Sequence, residues 1–265
     1  MSESLLVDVS GEYGPVDGPR VEVVLVYQSL LGIYGDRGNA TVLARRLAWR
    51  GFDAVLTVVE PGEPLPDTGQ VYLLGGGEDA AQISAVRALQ ADGGLHRAVD
   101  RGAVVFAVCA GYQIAGRSFT VGDPTVPGGE DQVIEGLGLL DVTTTRGPRR
   151  AVGEILSRWR GRSGDSDDSA LLTGFENHGG WTRLGPDTRP LADVEIGVGN
   201  ADDGTEGAVN GNVIGTYPHG PVLARNPALA DHLLELALGE ELAPLPRPEI
   251  DTLRRQRLAA VRASR

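Results

Sequence analysis

The sequence predicts an α/β protein with a largely parallel central sheet flanked by helices, and three observations carry that prediction. Between residues 21 and 120, short β-branched apolar runs alternate with amphipathic helical stretches, and strands separated by helix-length segments pair in parallel through crossovers. Several of these runs are apolar at almost every position, as strands buried on both faces are. At 265 residues and 41% hydrophobic content the chain is also long and apolar enough for a large core.

Taken in order, VEVVLVY (21–27) is the first strand, and GDRGNATVLARRLAWRG is a turn, a cap and an amphipathic helix ending at Gly51. FDAVLTVV is the second strand, PGEPLPDTG a loop, QVYLLGGG a third strand entering a glycine turn, and EDAAQISAVRALQAD the next helix. AVVFAV (103–108) is a fourth strand, with a helix starting near Ala110. A sheet of this kind carries its ligand site at the carboxyl ends of its strands. From residue 120 the rhythm changes to β-rich additions: AVGEILSRW, LLTGFENHGGWTRL, VEIGVGN and EGAVNGNVIGTYPHG read as short strands joined by tight turns. GRSGDSDDSA (161–170) reads as a flexible acidic excursion, and NPALADHLLELAL (226–238) as a closing helix with an Asn cap and proline at its first position. The expected organisation is a disordered segment over 1–20, one catalytic domain over 21–245, and an arginine-rich helical tail over 246–265 with a solvated face or a partner contact.

Composition excludes several function classes. The net charge of −12 argues against nucleic-acid binding, which needs a basic surface. No run approaches the roughly 18 apolar residues of a membrane span, and the acidic start lacks the basic flank of a secretory signal, so direct membrane insertion is not expected and the chain is placed in the cytoplasm. One cysteine forms neither an internal disulfide nor a thiolate cluster, and no metal site is expected. All 24 basic residues are arginine. Without lysine there is no Walker A lysine and no Schiff base, so in an ATP-driven reaction another chain handles the nucleotide.

The lone cysteine, Cys109, falls between AVVFAV and AGYQIAG, on a strand-to-helix elbow whose neighbours Ala107, Ala110 and Gly111 are small. The positive end of the following helix favours a thiolate, and the Ala110 N–H points toward whatever carbonyl the sulfur attacks. By itself the motif fits a nucleophile or a buried core cysteine. A nucleophilic thiol needs a base. Of the four histidines, His96 and His232 lie in helical stretches, whereas His178 (FENHGG) and His219 (TYPHGP) each follow a strand and precede glycine in a tight turn. His219 is the better base, and His178 suits a supporting role. Gly76 or Gly77 in LLGGGED can donate N–H groups to an oxyanion; read alone the run also fits a nucleotide turn, although it lacks the G-x-G-x-x-G spacing.

YGDRGN, LLGGGED, VCAGYQ, EGLGLLD, GFENHGG and GTYPHGP occur in an order that resembles the class I glutamine amidotransferases, within them the cobyric-acid-synthase-like branch and above all the GatD-type glutaminase subunits of lipid II isoglutaminyl synthase. The resemblance spans residues 22–245 and implies a flavodoxin-like fold. It implies that Cys109 attacks the side-chain amide of L-glutamine to form a γ-glutamyl thioester, with His219 as general base and acid. It implies that Arg150 holds the substrate carboxylate, with Arg149 and Arg146 as alternatives, and that Gln113, Gly76 or Gly77, and Ala110 line the pocket. Two departures stand out: Pro221 replaces the glutamate common two positions after the histidine, and Ala107 replaces the commoner glycine two before the cysteine. The first implies a Cys–His dyad, with Glu176 as a carboxylate able to assist. The partner implied is a MurT-like Mur ligase subunit that carries ATP and Mg and amidates the D-glutamate α-carboxylate of lipid II, this chain holding no cofactor. The competing readings are the glutaminase part of a corrinoid-type amide synthase, a cysteine hydrolase of other amides, and a non-catalytic binding module.

Overall fold

The computed structural model describes residues 18–32, 35–122, 131–161 and 168–263. Residues 1–17 of the segment expected to be disordered and 162–167 of the acidic excursion lie outside the described residues, whereas Arg20 already belongs to the first strand.

The first half builds the predicted parallel frame. Strands β1 (Arg20–Val26), β2 (Asp53–Val59), β3 (Val71–Leu74) and β4 (Val104–Val108) alternate with helices α1 (Gln28–Leu31), α2 (Arg37–Ala48), α3 (Asp79–Asp92) and α4 (Gly94–Asp100), and α5 (Ala110–Ala115) follows β4 directly. β3 and β4 are buried at every position and β1 at all but its first, which their unbroken apolar sequences require.

The β-rich half does more than decorate this sheet. Strands β5 (Ser118–Val121), β6 (Gln132–Glu135), β7 (Val142–Trp159), β8 (Leu171–Leu184), β9 (Ala192–Ile196) and β10 (Thr205–Glu206) form a second sheet, while β11 (Ala208–Asn210) and β12 (Val213–Thr216) return to the first. The first sheet runs β11-β12-β4-β3-β1-β2, parallel apart from β11, and the reversal of strand order lies between β1 and β3. Three helices close the chain: α6 (Val222–Arg225), α7 (Pro227–Leu238) and α8 (Pro248–Ala263). α8 packs through Leu258 and Val261 against Leu156 and Leu171, a small cluster apart from the main core.

FENHGG, expected as a turn, is instead continuous strand inside β8. Its partner β7 absorbs the irregularity: Arg146 pairs with Gly180 and Ala151 with His178, so residues 147–150 bulge out opposite the single residue Gly179. Proline at position 148, which cannot donate to a ladder, suits that bulge.

Candidate active site

Three strand ends of the first sheet, those of β3, β4 and β12, converge. Cys109 leaves the end of β4 and donates its backbone N–H to Thr216 O at the end of neighbouring β12 (2.9 Å), and three residues further on comes His219. Cys109 has φ 53° and ψ −105°, a left-handed backbone that a β-carbon resists, so the sequence-predicted elbow is a strained one. Gly111 makes it possible: a Cβ there would stand 2.7 Å from Leu74 Cβ and O at the end of β3. The cysteine is 7% exposed, at the floor of an open cavity of about 690 Å³.

His219 meets two groups. Its Nδ1 lies 3.4 Å from Asp36 Oδ1, and its ring interacts with the Cys109 side chain. Burial works against a charge on this imidazole, but the bond it donates to Asp36, the neighbouring Cys109 side chain and the negative charge both can carry outweigh that and push it up to about 10. Asp36 therefore corrects the expectation of a histidine without a carboxylate. It stands at the N-cap position of α2, yet its side chain makes no cap bond; Oδ2 accepts the Gly76 N–H instead (2.7 Å). Gly38, two residues on, lies so close to the Pro221 ring that a Cβ would collide with it, which brings the start of α2 against the turn after His219.

The same contacts reassign two other residues. Because Gly76 donates to Asp36, its N–H is committed to the scaffold, and it is Gly77, with Ala110 at the start of α5, that lines the cavity beside Cys109. Glu176 is turned away from His219: its carboxylate accepts the N–H groups of Val198 (2.7 Å) and Gly199 (3.0 Å). His178 lies buried under the cavity wall, its Nδ1 2.8 Å from Gly180 O, its ring stacked on Tyr217 at 3.7 Å and its Nε2 3.7 Å from Glu176. Gln113 lines the cavity and accepts from Gln82 Nε2 (2.9 Å). His96 and His232 sit elsewhere, against Leu137 O and the Trp159 ring.

The bulge of β7 supplies Arg149 and Arg150, and Arg146 stands in the ladder just before it, all three on the cavity wall. Arg146 is paired with Asp131 (3.1 Å) and Arg149 with Asp202 (2.9 Å). Arg150 is bonded to the side-chain oxygen of Asn177 (2.7 Å) and to its carbonyl (3.3 Å), and among the described residues it meets no carboxylate. Of the three arginines, it is thus the one with no carboxylate partner among the described residues. Asn177, not foreseen from the sequence, also lines the cavity. Glu78 and Asp79 also line the cavity, so acidic and basic residues both border it, with Asp79 Oδ2 accepting the Gly122 N–H (3.2 Å).

A thiol on a strained elbow, an imidazole beside it and a buried carboxylate behind the imidazole form a nucleophile, a base and an orienting group in sequence. Residues 22–227 match the CobB/CobQ-like glutamine amidotransferase domain. The chain belongs to this family of glutamine amidotransferases. Among its relatives, the GatD subunit of lipid II isoglutaminyl synthase (glutamine-hydrolyzing) of Staphylococcus aureus is 34% identical over 224 residues, covering 83% of this chain and 86% of the relative. The subunit of the same name from Streptococcus pneumoniae is 30% identical over 83% of this chain and 81% of its own length. Cobyric acid synthase of Sphingopyxis alaskensis is 38% identical over 68% of this chain but only 34% of its own. Among solved structures, a glutamine amidotransferase (TM-score 0.53, 21% identity) covers 81% of this chain and 98% of its own, and PurLQS from Thermotoga maritima (TM-score 0.55, 18% identity) covers 84% and 98%, so the fold of this amidotransferase is shared with both. Among the described residues no helix is long and apolar enough to cross a membrane.

Proposed function

We infer that this amidotransferase is the glutaminase subunit of a lipid II isoglutaminyl synthase. The observation that carries the chemistry is the alignment of Cys109, His219 and Asp36 under a cavity large enough to admit an amino acid. The likeness to GatD subunits over four-fifths of both chains supports the assignment to lipid II, whereas cobyric acid synthase is matched over a third of its length.

L-Glutamine enters with its carboxylate on Arg150, whose fork suits two oxygens, and its ammonium toward the acidic side of the cavity. The Cys109 sulfur attacks the side-chain amide carbon; a C–S bond forms, and the oxyanion is met by the N–H groups of Ala110 and Gly77. His219, protonated in the resting pair, delivers its proton to the amide nitrogen, the C–N bond breaks and ammonia leaves. Water then attacks the γ-glutamyl thioester, His219 takes a proton from it, the C–S bond breaks, and glutamate departs. Asp36 holds the imidazole so that Nε2 faces the sulfur throughout.

Ammonia then passes to a MurT-type, Mur-ligase-like subunit in the cytoplasm, where ATP with Mg activates the D-glutamate α-carboxylate of lipid II and amidation yields D-isoglutamine. The test is to purify the chain with and without its Mur-ligase-like subunit, measure ammonia release from glutamine, and follow amidation of lipid II by mass spectrometry. Glutamine-dependent, ATP-dependent gain of one amide per stem peptide is expected. Ammonia release with no amidation in the complex would retain the glutaminase and remove lipid II as acceptor.

A further inference from the structure

One face of the β7–β8 ribbon is buried, and the other is covered by α8 at Leu156 and Leu171 but left open around Val152 and Phe175. Opposed residues of an antiparallel pair share a face. Ala151 and His178 are opposed and buried, as are Ile155 and Gly174. On the other face Val152 stands opposite Asn177, and Phe175 opposite Glu154. Val152 is 61% exposed and Phe175 37%, two of only four large exposed apolar residues among the described ones. Both border the active site: Asn177 holds Arg150, and the Phe175 backbone exchanges N–H···O bonds with that of His219 (3.1 and 2.9 Å).

A third exposed apolar residue, Leu253 at 66%, lines a cleft of about 490 Å³ between α2, α6 and α8 that reaches Gly220, next to His219. Glu154 joins cleft to ribbon, because it accepts from Arg225 (2.8 Å) and Arg257 (3.2 Å) of the cleft wall. Positive charge prevails there. Glu154 is shared by two guanidinium groups, and so is Asp231, by Arg46 (2.6 Å) and Arg50 (3.0 Å). The Arg254 side chain is held by the main-chain carbonyls of Arg225, Asp168 and Leu171. In a chain of net charge −12 this is an arginine-rich, apolar-walled strip beginning at the rim of the glutaminase cavity. Two copies of so acidic a chain repel each other, which disfavours self-association as its use.

We propose that the surface running from Val152 and Phe175 across Glu154 to the Leu253 cleft docks the ATP-dependent ligase subunit, through a segment of that subunit carrying apolar side chains flanked by carboxylates. The proposal rests on the glutaminase-subunit reading above. Apolar anchors give the contact its lifetime, and the arginines give it register and encounter rate. Docking at this rim places the ligase where ammonia emerges.

The test uses the full chain and the Mur-ligase-like subunit of the same organism, with affinity measured by calorimetry. Val152→Asp with Leu253→Asp, and separately Arg257→Glu, each weaken binding at least about tenfold while the free subunit keeps its melting temperature and its glutaminase rate. Wild-type affinity falls as NaCl rises. Cys109→Ser, which removes the nucleophile and leaves the surface intact, binds like wild type. Wild-type affinity in both surface variants overturns the docking assignment while the glutaminase reading stands. So does finding that the variants lose binding to phosphatidylglycerol vesicles, or lose self-association in sedimentation, and nothing else. Failure of the wild-type chain itself to bind the ligase overturns the underlying reading and the proposal together.

Discussion

The rim of the first sheet and the β7–β8 ribbon of the second face the same cavity, and they hold their groups in opposite ways. On the rim, Cys109, His219 and Asp36 are all buried, and the three are fixed by neighbouring strand ends and by contacts among themselves. On the ribbon, Arg150 is exposed, carried on a bulge and steadied by a single neighbour, Asn177. A reacting group gains from rigid placement and low dielectric, whereas a group that admits a charged substrate must stay hydrated until the substrate arrives. Substitutions on the rim should therefore act on the chemical step, and substitutions on the ribbon on capture.

The largest expected effect is at Cys109. Cys109→Ser should lower ammonia release from glutamine at least about 10³-fold while the thermal melt stays that of wild type, because the hydroxyl fits the same elbow and lacks the nucleophilicity. Activity within tenfold of wild type would remove the residue from the chemistry.

Asp36→Asn comes next. The amide presents an N–H to His219 Nδ1 where a carboxylate accepted one, so the imidazole takes the wrong tautomer, and kcat should fall on the order of 10²- to 10⁴-fold with KM little changed. A pH profile separates this from loss of packing. His219 sits at about 10 partly because of Asp36, so the wild-type enzyme keeps its proton donor until pH approaches that value. Without the carboxylate the proton is lost at lower pH, and the alkaline fall in rate should move down. A profile that keeps its position at reduced height would make Asp36 a mere spacer.

This contrast also explains what could be read from the sequence. The alternating frame, the Cys109 elbow and the His219 turn were legible because each is written in a short run: an apolar strand, then small residues or a glycine, at the end of a parallel strand. YGDRGN marked the family resemblance, but within it Asp36 read as no more than a turn and cap before a helix. Its role depends on a contact with a residue 183 positions away, and nothing local reports that its side chain turns off the helix toward Gly76 and His219. The second sheet was less legible for a related reason. Strand length could be read from β7 and β8, but their register could not, and register decides that His178 faces inward while Asn177 and Val152 face out. Glu176, expected as a carboxylate able to assist the Cys–His dyad, is drawn off by two backbone N–H groups that only the fold brings to it.

On the ribbon the expected effect is smaller and of another kind. Arg150→Ala should raise KM for glutamine about 10- to 100-fold, the worth of one charge-assisted contact, with kcat held within a few-fold. Arg149→Ala should do much less, since its guanidinium already serves Asp202. Steady-state kinetics on the pair would sharpen the division; equal effects would mean that the bulge binds glutamine as a unit, and a fall in kcat alone would place Arg150 with the rim.

The smallest effect concerns the seam between the two regions. Glu206 belongs to β10 of the second sheet, yet its carboxylate accepts from Thr216 Oγ1 and Tyr217 N (both 2.9 Å) at the end of β12, just before His219. Burial raises it from 4.5 to about 7, against those two bonds, which lower it. Its folded value exceeds its unfolded one, so the folded chain binds the extra proton between those values, and the stability this gives is complete below about 4.5 and is lost as pH rises through about 7. Glu206→Gln removes that dependence. The drop in melting temperature between about pH 5 and pH 8 should shrink by on the order of 5 °C relative to wild type, with glutamine hydrolysis near neutral pH little altered. An unchanged drop would mean that the seam holds its carboxylate charged, and that Thr216 and Tyr217 stabilise it more than burial opposes it.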